Sequence, residues 1–202
     1  MKPTPFSCPA RSRGFTLIEL LVVITIIALL VTGAFGAYGF VMERAKKAAA
    51  QATCVTLINA IDQYHTDYDF LPSPTSATKG TDCESDTTAE EGLIAVLKGL
   101  DITQNSRSTD YLGDVKDAKT QGNSETSKRT DGLVRDGETV ALVDPWSYHY
   151  KVTLDLDMDK KVINPDSEAA SSGNSELHKT AISFSIGKDG DEKTWDDNVK
   201  SW

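Results

Sequence analysis

The sequence predicts an α+β fold, a long N-terminal helix packed on a small antiparallel sheet whose last strand runs into an acidic loop. Three observations predict it. An uncharged apolar run, Leu20 to Met42, passes into good helix formers from Glu43 to Gln51 and then into an amphipathic stripe. Two later runs, Tyr148 to Leu156 and Ala181 to Ile186, alternate apolar with more polar residues at the period of a strand. A glycine-turned acidic tail, Ser185 to Asn198, follows the second run.

The helix comes first in the chain. The 23 residues from Leu20 to Met42 carry no charge, and as a helix they span about 35 Å at roughly 1.5 Å per residue, enough for a hydrocarbon core of about 30 Å. Glu19 stands at the edge of this run, where a carboxylate is costly unless something neutralises it, so the position reads as functional. Residues 1–14 hold Lys2, Arg11 and Arg13 and no apolar core, unlike a secretory signal whose hydrophobic region is discarded. The basic flank keeps that end cytoplasmic and puts the bulk of the chain outside. A cut between Gly14 and Phe15 would leave an amine one helical turn from Glu19, able to pair with it within a chain or between neighbours.

The stretch Arg13-Gly14-Phe15-Thr16-Leu17-Ile18-Glu19, opening an uncharged helix, resembles type IV prepilins and type II secretion pseudopilins. The resemblance implies that Gly14 precedes the cut, that Phe15 is the first mature residue and is N-methylated by a prepilin peptidase, and that Glu19 sets register during assembly. Gly33, Gly36 and Gly39 recur every three residues and favour close helix packing with some local extension. Gly36 stands where many relatives carry proline.

Leu57, Ile61, Tyr64 and Tyr68 recur at helical spacing, with Val55 and Ile58 widening the stripe, and Pro72 is expected to stop the helix because it lacks an N–H. The predicted organisation is a leader at 1–14, a membrane and polymerisation helix at 15–42, an amphipathic helix at 43–71 and a periplasmic head at 72–202. Tyr64, Asp67 and Pro72, and later Asp144-Pro145-Trp146 with Tyr150, resemble the major pseudopilin (protein G) of type II secretion. Ser147 and His149 replace the glycine and proline usual there. Glu91 to Leu97 reads as a short helix with Leu93, Val96 and Leu97 facing the core. The polar stretches 73–90 and 101–139 read as surface loops, because they offer too little apolar surface to offset their ordering entropy. A short strand near Lys161 to Ile163 completes the sheet, whose apolar face is expected against the amphipathic half of the helix.

Two acidic constellations suit a hard cation. Asp155, Asp157 and Asp159, with Val162 and Asp166 downstream, mimic an EF-hand loop, but Lys160 occupies the glycine position and the flanks read as strands, so an acidic outer face of a hairpin is expected instead. The second, Ile186-Gly187-Lys188-Asp189-Gly190-Asp191 with Asp196 and Asp197, closely resembles the C-terminal calcium loop of protein G. That resemblance implies calcium held by Asp189 and Asp197, with the Ile186 carbonyl, Asp191 and Asp196 as further ligands. Counting back from Trp202, Asn198 falls where an aspartate is expected, which leaves the register of the second half open.

Composition excludes several functions. The net charge is −9, and losing Lys2, Arg11 and Arg13 makes it three units more negative, so phosphate backbones are repelled and nucleic acid is not an expected partner. Cys8 would leave with the leader, and the remaining Cys54 and Cys83 lie in a compartment that permits a disulfide, with geometry deciding whether one forms. His65, His149 and His178 are scattered and no nucleophile motif is present, so the chain is not expected to be an enzyme. The resemblance implies a structural subunit of a type II secretion pseudopilus, anchored in the inner membrane. Its implied partners are copies of itself, the prepilin peptidase, other pseudopilins and the inner-membrane assembly platform. A type IV pilin or minor pseudopilin for adhesion, motility or DNA uptake, and a monomeric membrane-anchored calcium-binding module, are the alternatives.

Overall fold

A computed structural model describes residues 14–78, 81–121, 128–137 and 139–202, with the backbone alone described at 34–37, 121 and 167. The rest of the leader, at 1–13, lies outside the described residues. Two compact units meet in sequence at Glu43 and Arg44.

The α1 helix, Leu17–Tyr68, runs 52 residues across that boundary. It starts with a reciprocal capping pair. Thr16 N–H and Thr16 Oγ1–H donate to Glu19 Oε2 at 3.0 and 2.9 Å, and Glu19 N–H donates to Thr16 Oγ1 at 3.3 Å. Two donors at the helix start are thereby satisfied. Within the first unit every described large apolar side chain from Phe15 to Met42 is exposed. Gly33 and Gly39 have open space where a Cβ would stand, so their surfaces can admit a close neighbour. Among the described residues no single helix is long and apolar enough alone to cross a membrane. Leu17–Gly33 and Tyr38–Tyr68 have the length and composition together, as a broken span.

In the second unit α1 buries Ala50, Cys54, Leu57, Ala60, Ile61 and Tyr64, a recurrence of three and four residues along one face. Val55, expected on this stripe, is instead exposed, and Cys54 takes the place beside it. The helix ends at Tyr68, four residues before Pro72. Asp69 takes φ 61° and its N–H still reaches the His65 carbonyl, so a left-handed cap closes the helix before proline is met.

The sheet facing this stripe has the order β1-β6-β9-β10, antiparallel throughout, from β1 (Cys83–Asp86), β6 (Lys151–Leu154), β9 (Ala181–Ser185) and β10 (Val199–Lys200). Cys83, expected in a loop, is thus the first residue of an edge strand. Tyr150, Val152 and Leu154 join the helix stripe in one core, as expected. The β9 strand corrects the expectation. Val152 pairs with Ser183 and Leu154 with Ala181, so the small and polar residues of β9 face the helix. Ile182 and Phe184 point the other way and are buried all the same.

The α2 helix, Leu93–Leu97, buries Leu93, Ile94, Val96 and Leu97 in that core. The described parts of 101–139 are more ordered than their composition suggests, and most of the polar segment 121–128 lies outside the described residues. They contribute β2 (Lys119–Gln121) paired with β3 (Lys128–Thr130), and β4 (Gly132–Asp136) paired with β5 (Thr139–Val143). Asn105 explains part of this order. It is fully buried, its Nδ2 donates to the carbonyls of Val96 and Thr109 at 2.8 Å each, and its Oδ1 accepts from Tyr68 Oη and Thr109 N–H. A side-chain amide with its donors and acceptor all used gives a polar loop the internal partners that apolar surface would otherwise supply. The strand expected near Lys161 to Ile163 is β7 (Val162–Ile163), which pairs with β8 (Glu176–Leu177) apart from the main sheet. Between them lies α3 (Ser167–Ser171), whose N-cap Asp166 accepts from Glu168 and Ala169 N–H.

The turn after β5 shows why glycine suits it. Asp144 is fully buried, its Oδ1 accepts Trp146 and Tyr148 N–H at 2.8 and 2.9 Å, and its Oδ2 accepts Ser185 Oγ–H at 2.6 Å. That fold of the turn sets Ser147 at φ 80°, where a residue with a Cβ loses about 1–2 kcal/mol. Ser147→Gly should therefore stabilise the chain by roughly 0.5–1 kcal/mol, after subtracting the greater freedom of glycine in the unfolded state. An unchanged or lower urea midpoint would contradict this.

Candidate functional site

Two regions carry the residues singled out from the sequence, one at each end of the chain. At the N-terminal end Gly14, Phe15 and Glu19 are exposed. The structure adds Thr16, whose hydroxyl and N–H hold the Glu19 carboxylate in the uncut chain. The Thr-x-x-Glu spacing of a capping box was the signal for it.

At the other end, the loop between β9 and β10 is built on two left-handed glycines, Gly187 at φ 72° and Gly190 at φ 71°. A Cβ on Gly187 would lie 2.6 Å from Asp197 Oδ2, and one on Gly190 would lie 2.4 Å from the Tyr148 ring. Only glycine permits these approaches; the first brings the two halves of the loop together and the second seats the loop on Tyr148. Asp197 Oδ2 accepts Lys188 N–H at 2.7 Å and Asp189 N–H at 3.2 Å. Asp189 accepts Asp191 N–H and, at 2.5 Å, the Thr194 hydroxyl, and these donors hold its carboxyl below the usual carboxylate range. Asp191 Oδ1 accepts Lys193 N–H. Asn198 Oδ1 is buried with no donor, while its Nδ2 donates to the Glu192 carbonyl at 3.2 Å. An orphaned amide oxygen in the second half of the loop suits a cation as well as an aspartate there would, though as a neutral ligand.

These residues suit calcium in chemistry. They offer carboxylates from both halves, an amide oxygen and the Ile186 carbonyl, all hard oxygen donors. Among the described residues, however, the three carboxylates close enough to share one ion are Asp82, Asp155 and Asp157, not those of this loop. Asp155 is 2 % exposed, so the expected acidic outer face of a hairpin is corrected: the first carboxylate of that run points inward. The flanks are strands, as expected, and Lys160 takes φ 65°, adopting the glycine-like turn without glycine.

The two thiols are separate, so no Cys54–Cys83 bond is formed. Cys54 Sγ lies 3.9 Å from the Val199 carbonyl, and Cys83 Sγ lies 3.8 Å from Ser76 Oγ. Burial pushes the Cys54 thiol up to about 12, which keeps it protonated and unreactive. The tail is fastened instead by tilted and edge-on aromatic contacts and an ion pair. Trp195 and Trp202 pack on Phe184 with ring centroids at 5.0 and 6.1 Å, and Lys200 Nζ pairs with Asp166.

No curated protein and no solved structure matches the chain. A family model described as the prokaryotic N-terminal methylation motif matches residues 9–35. The match takes in the proposed cut, Glu19 and the apolar run as far as residue 35, and it supports a type IV pilin-like N-terminus on a subunit of a pilus or pseudopilus.

Proposed function

We propose that the chain is the major structural subunit of a type II secretion pseudopilus. The observation that carries this reading is the motif from Arg13 to Glu19 leading into an exposed apolar helix. Such a helix is stable only where lipid or other helices cover it, and a filament of identical subunits covers it after it leaves the membrane. A prepilin peptidase cuts after Gly14 and N-methylates Phe15. Glu19 then exchanges its Thr16 donors for the new amine of a neighbouring Phe15, which fixes the axial step between subunits.

The head supports the secretion branch of the family over an adhesive pilin. It closes its tail with an acidic glycine-turned loop and aromatic packing, with its thiols unbonded. In this reading Ile186, Asp189, Asp191, Asp196 and Asp197 hold calcium, with Asn198 Oδ1 as a sixth donor. Bound calcium supplies charge neutralisation that lets these carboxylates draw together and adds binding free energy to the folded head.

Disrupting the gene should stop export of a folded protein across the host's outer membrane while leaving surface piliation and DNA uptake intact. Lost piliation with normal export would instead assign the chain to an adhesive or motility pilus.

A further inference from the structure

The antiparallel register of β1 and β6 pairs Cys83 with Leu154. The next positions outward, Asp82 and Asp155, are therefore brought opposite one another where the strands end. The chain after β6 turns at Met158 and Lys160, at φ 63° and 65°, and returns as β7, whose Ile163 N–H donates to Asp82 Oδ2 at 3.2 Å. This turn adds Asp157. One carboxylate oxygen from each of Asp82, Asp155 and Asp157 lies within 4.8 Å of the others. Two oxygens on opposite sides of a calcium ion, each at 2.3–2.6 Å, stand about 5 Å apart, so the spacing suits one shared ion.

The second observation concerns Asp82 alone. Its Oδ1 is sealed from solvent and meets no hydrogen-bond donor. Buried carboxylate oxygens are ordinarily satisfied, and an orphan beside two more carboxylates lacks a positive partner. Among the described residues no ion pair reaches Asp82, Asp155 or Asp157, and neighbouring Lys161 is committed to Glu176 at 2.7 Å. Asp155 is held by Asp159 and Lys160 N–H, at 3.1 and 2.8 Å, so it is fixed in place and does not swing out to water.

We propose that Asp82, Asp155 and Asp157 form a second divalent cation site, of calcium type, that joins the start of β1 to the β6–β7 turn. It is separate from the C-terminal loop and does not rest on the secretion reading. Three carboxylates with room for carbonyls and water suit calcium, whereas magnesium demands stricter octahedral geometry.

The test uses the full chain in detergent micelles, with calorimetric calcium titration and thermal melting of wild type, Asp157→Asn, Asp82→Asn and Asp189→Asn. Asp155 is left alone because its buried hydrogen bonds make it structural. In chelator, Asp157→Asn should melt above wild type, since one uncompensated charge is gone. In millimolar calcium the order should reverse. Calcium stoichiometry should fall by one in both Asp157→Asn and Asp82→Asn, and Asp189→Asn should retain this site. Equal calcium stoichiometry and equal melting shifts in wild type and the two site variants, each folded, would overturn the proposal. Magnesium matching calcium in affinity would overturn the assignment of calcium type.

Discussion

Glu19→Ala should leave the chain inserted in the membrane and processed, and reduce filament yield at least a hundredfold. The structure separates two roles for this carboxylate. In the uncut chain it accepts two donors from Thr16, a cap whose loss costs about 1 kcal/mol. That is too little to prevent a helix with 23 uncharged residues behind it from entering a bilayer. In the assembled filament its proposed partner is the Phe15 amine, and removing one member of a buried pair costs about 3–5 kcal/mol per subunit. Glu19→Gln distinguishes the roles, because glutamine serves in a capping box but carries no charge. The expected result is that both variants fractionate with the membrane and neither assembles. Filaments at normal yield from Glu19→Gln would reduce Glu19 to a helix cap.

The elements that could be read from the sequence were those with a strong local period. The α1 stripe, the apolar face of β6 and the α2 face were visible because burial on one side imposes a spacing of 3.6 or 2 on the residues. Elements were missed where partners are polar and distant in sequence. Asn105 orders its loop through the carbonyls of Val96 and Thr109, and nothing in the local pattern announces that. The orientation of β9 was missed for a related reason. Both faces of that strand are buried, so alternation could not say which one meets the helix; the register against β6 decides it. Asp82 belongs with Asp155 only through strand pairing, so a search for ligands along the chain finds the 155–159 run and misses its partner. The N-terminal motif was legible because its residues are contiguous and require no tertiary contact, and the methylation-motif match at 9–35 falls on it.

Phe184→Ala should be the most destabilising single substitution in the tail, by about 3–5 kcal/mol, the range for emptying a buried aromatic site. Folded domains hold only about 5–15 kcal/mol in total, so the melting temperature should fall by roughly 10–15 °C. Phe184 is fully buried on the sheet face turned away from α1, where Trp195 meets it at 5.0 Å and Trp202 at 6.1 Å. The β10 strand depends on the same contact. Lys200 pairs with Phe184 in the ladder, lies 4.9 Å above the Trp195 ring and reaches Asp166 at the start of α3. Losing the ring should therefore loosen β10, the second half of the acidic loop and the α3 cap together, and the calcium affinity proposed for that loop should fall with stability. Ile102→Ala provides the contrast: its side chain is 71 % exposed and the change should cost under about 0.5 kcal/mol. A Phe184→Ala head that melts within 3 °C of wild type would mean that the tail closes without this aromatic anchor, and the acidic loop would then need some other constraint to hold its two halves together.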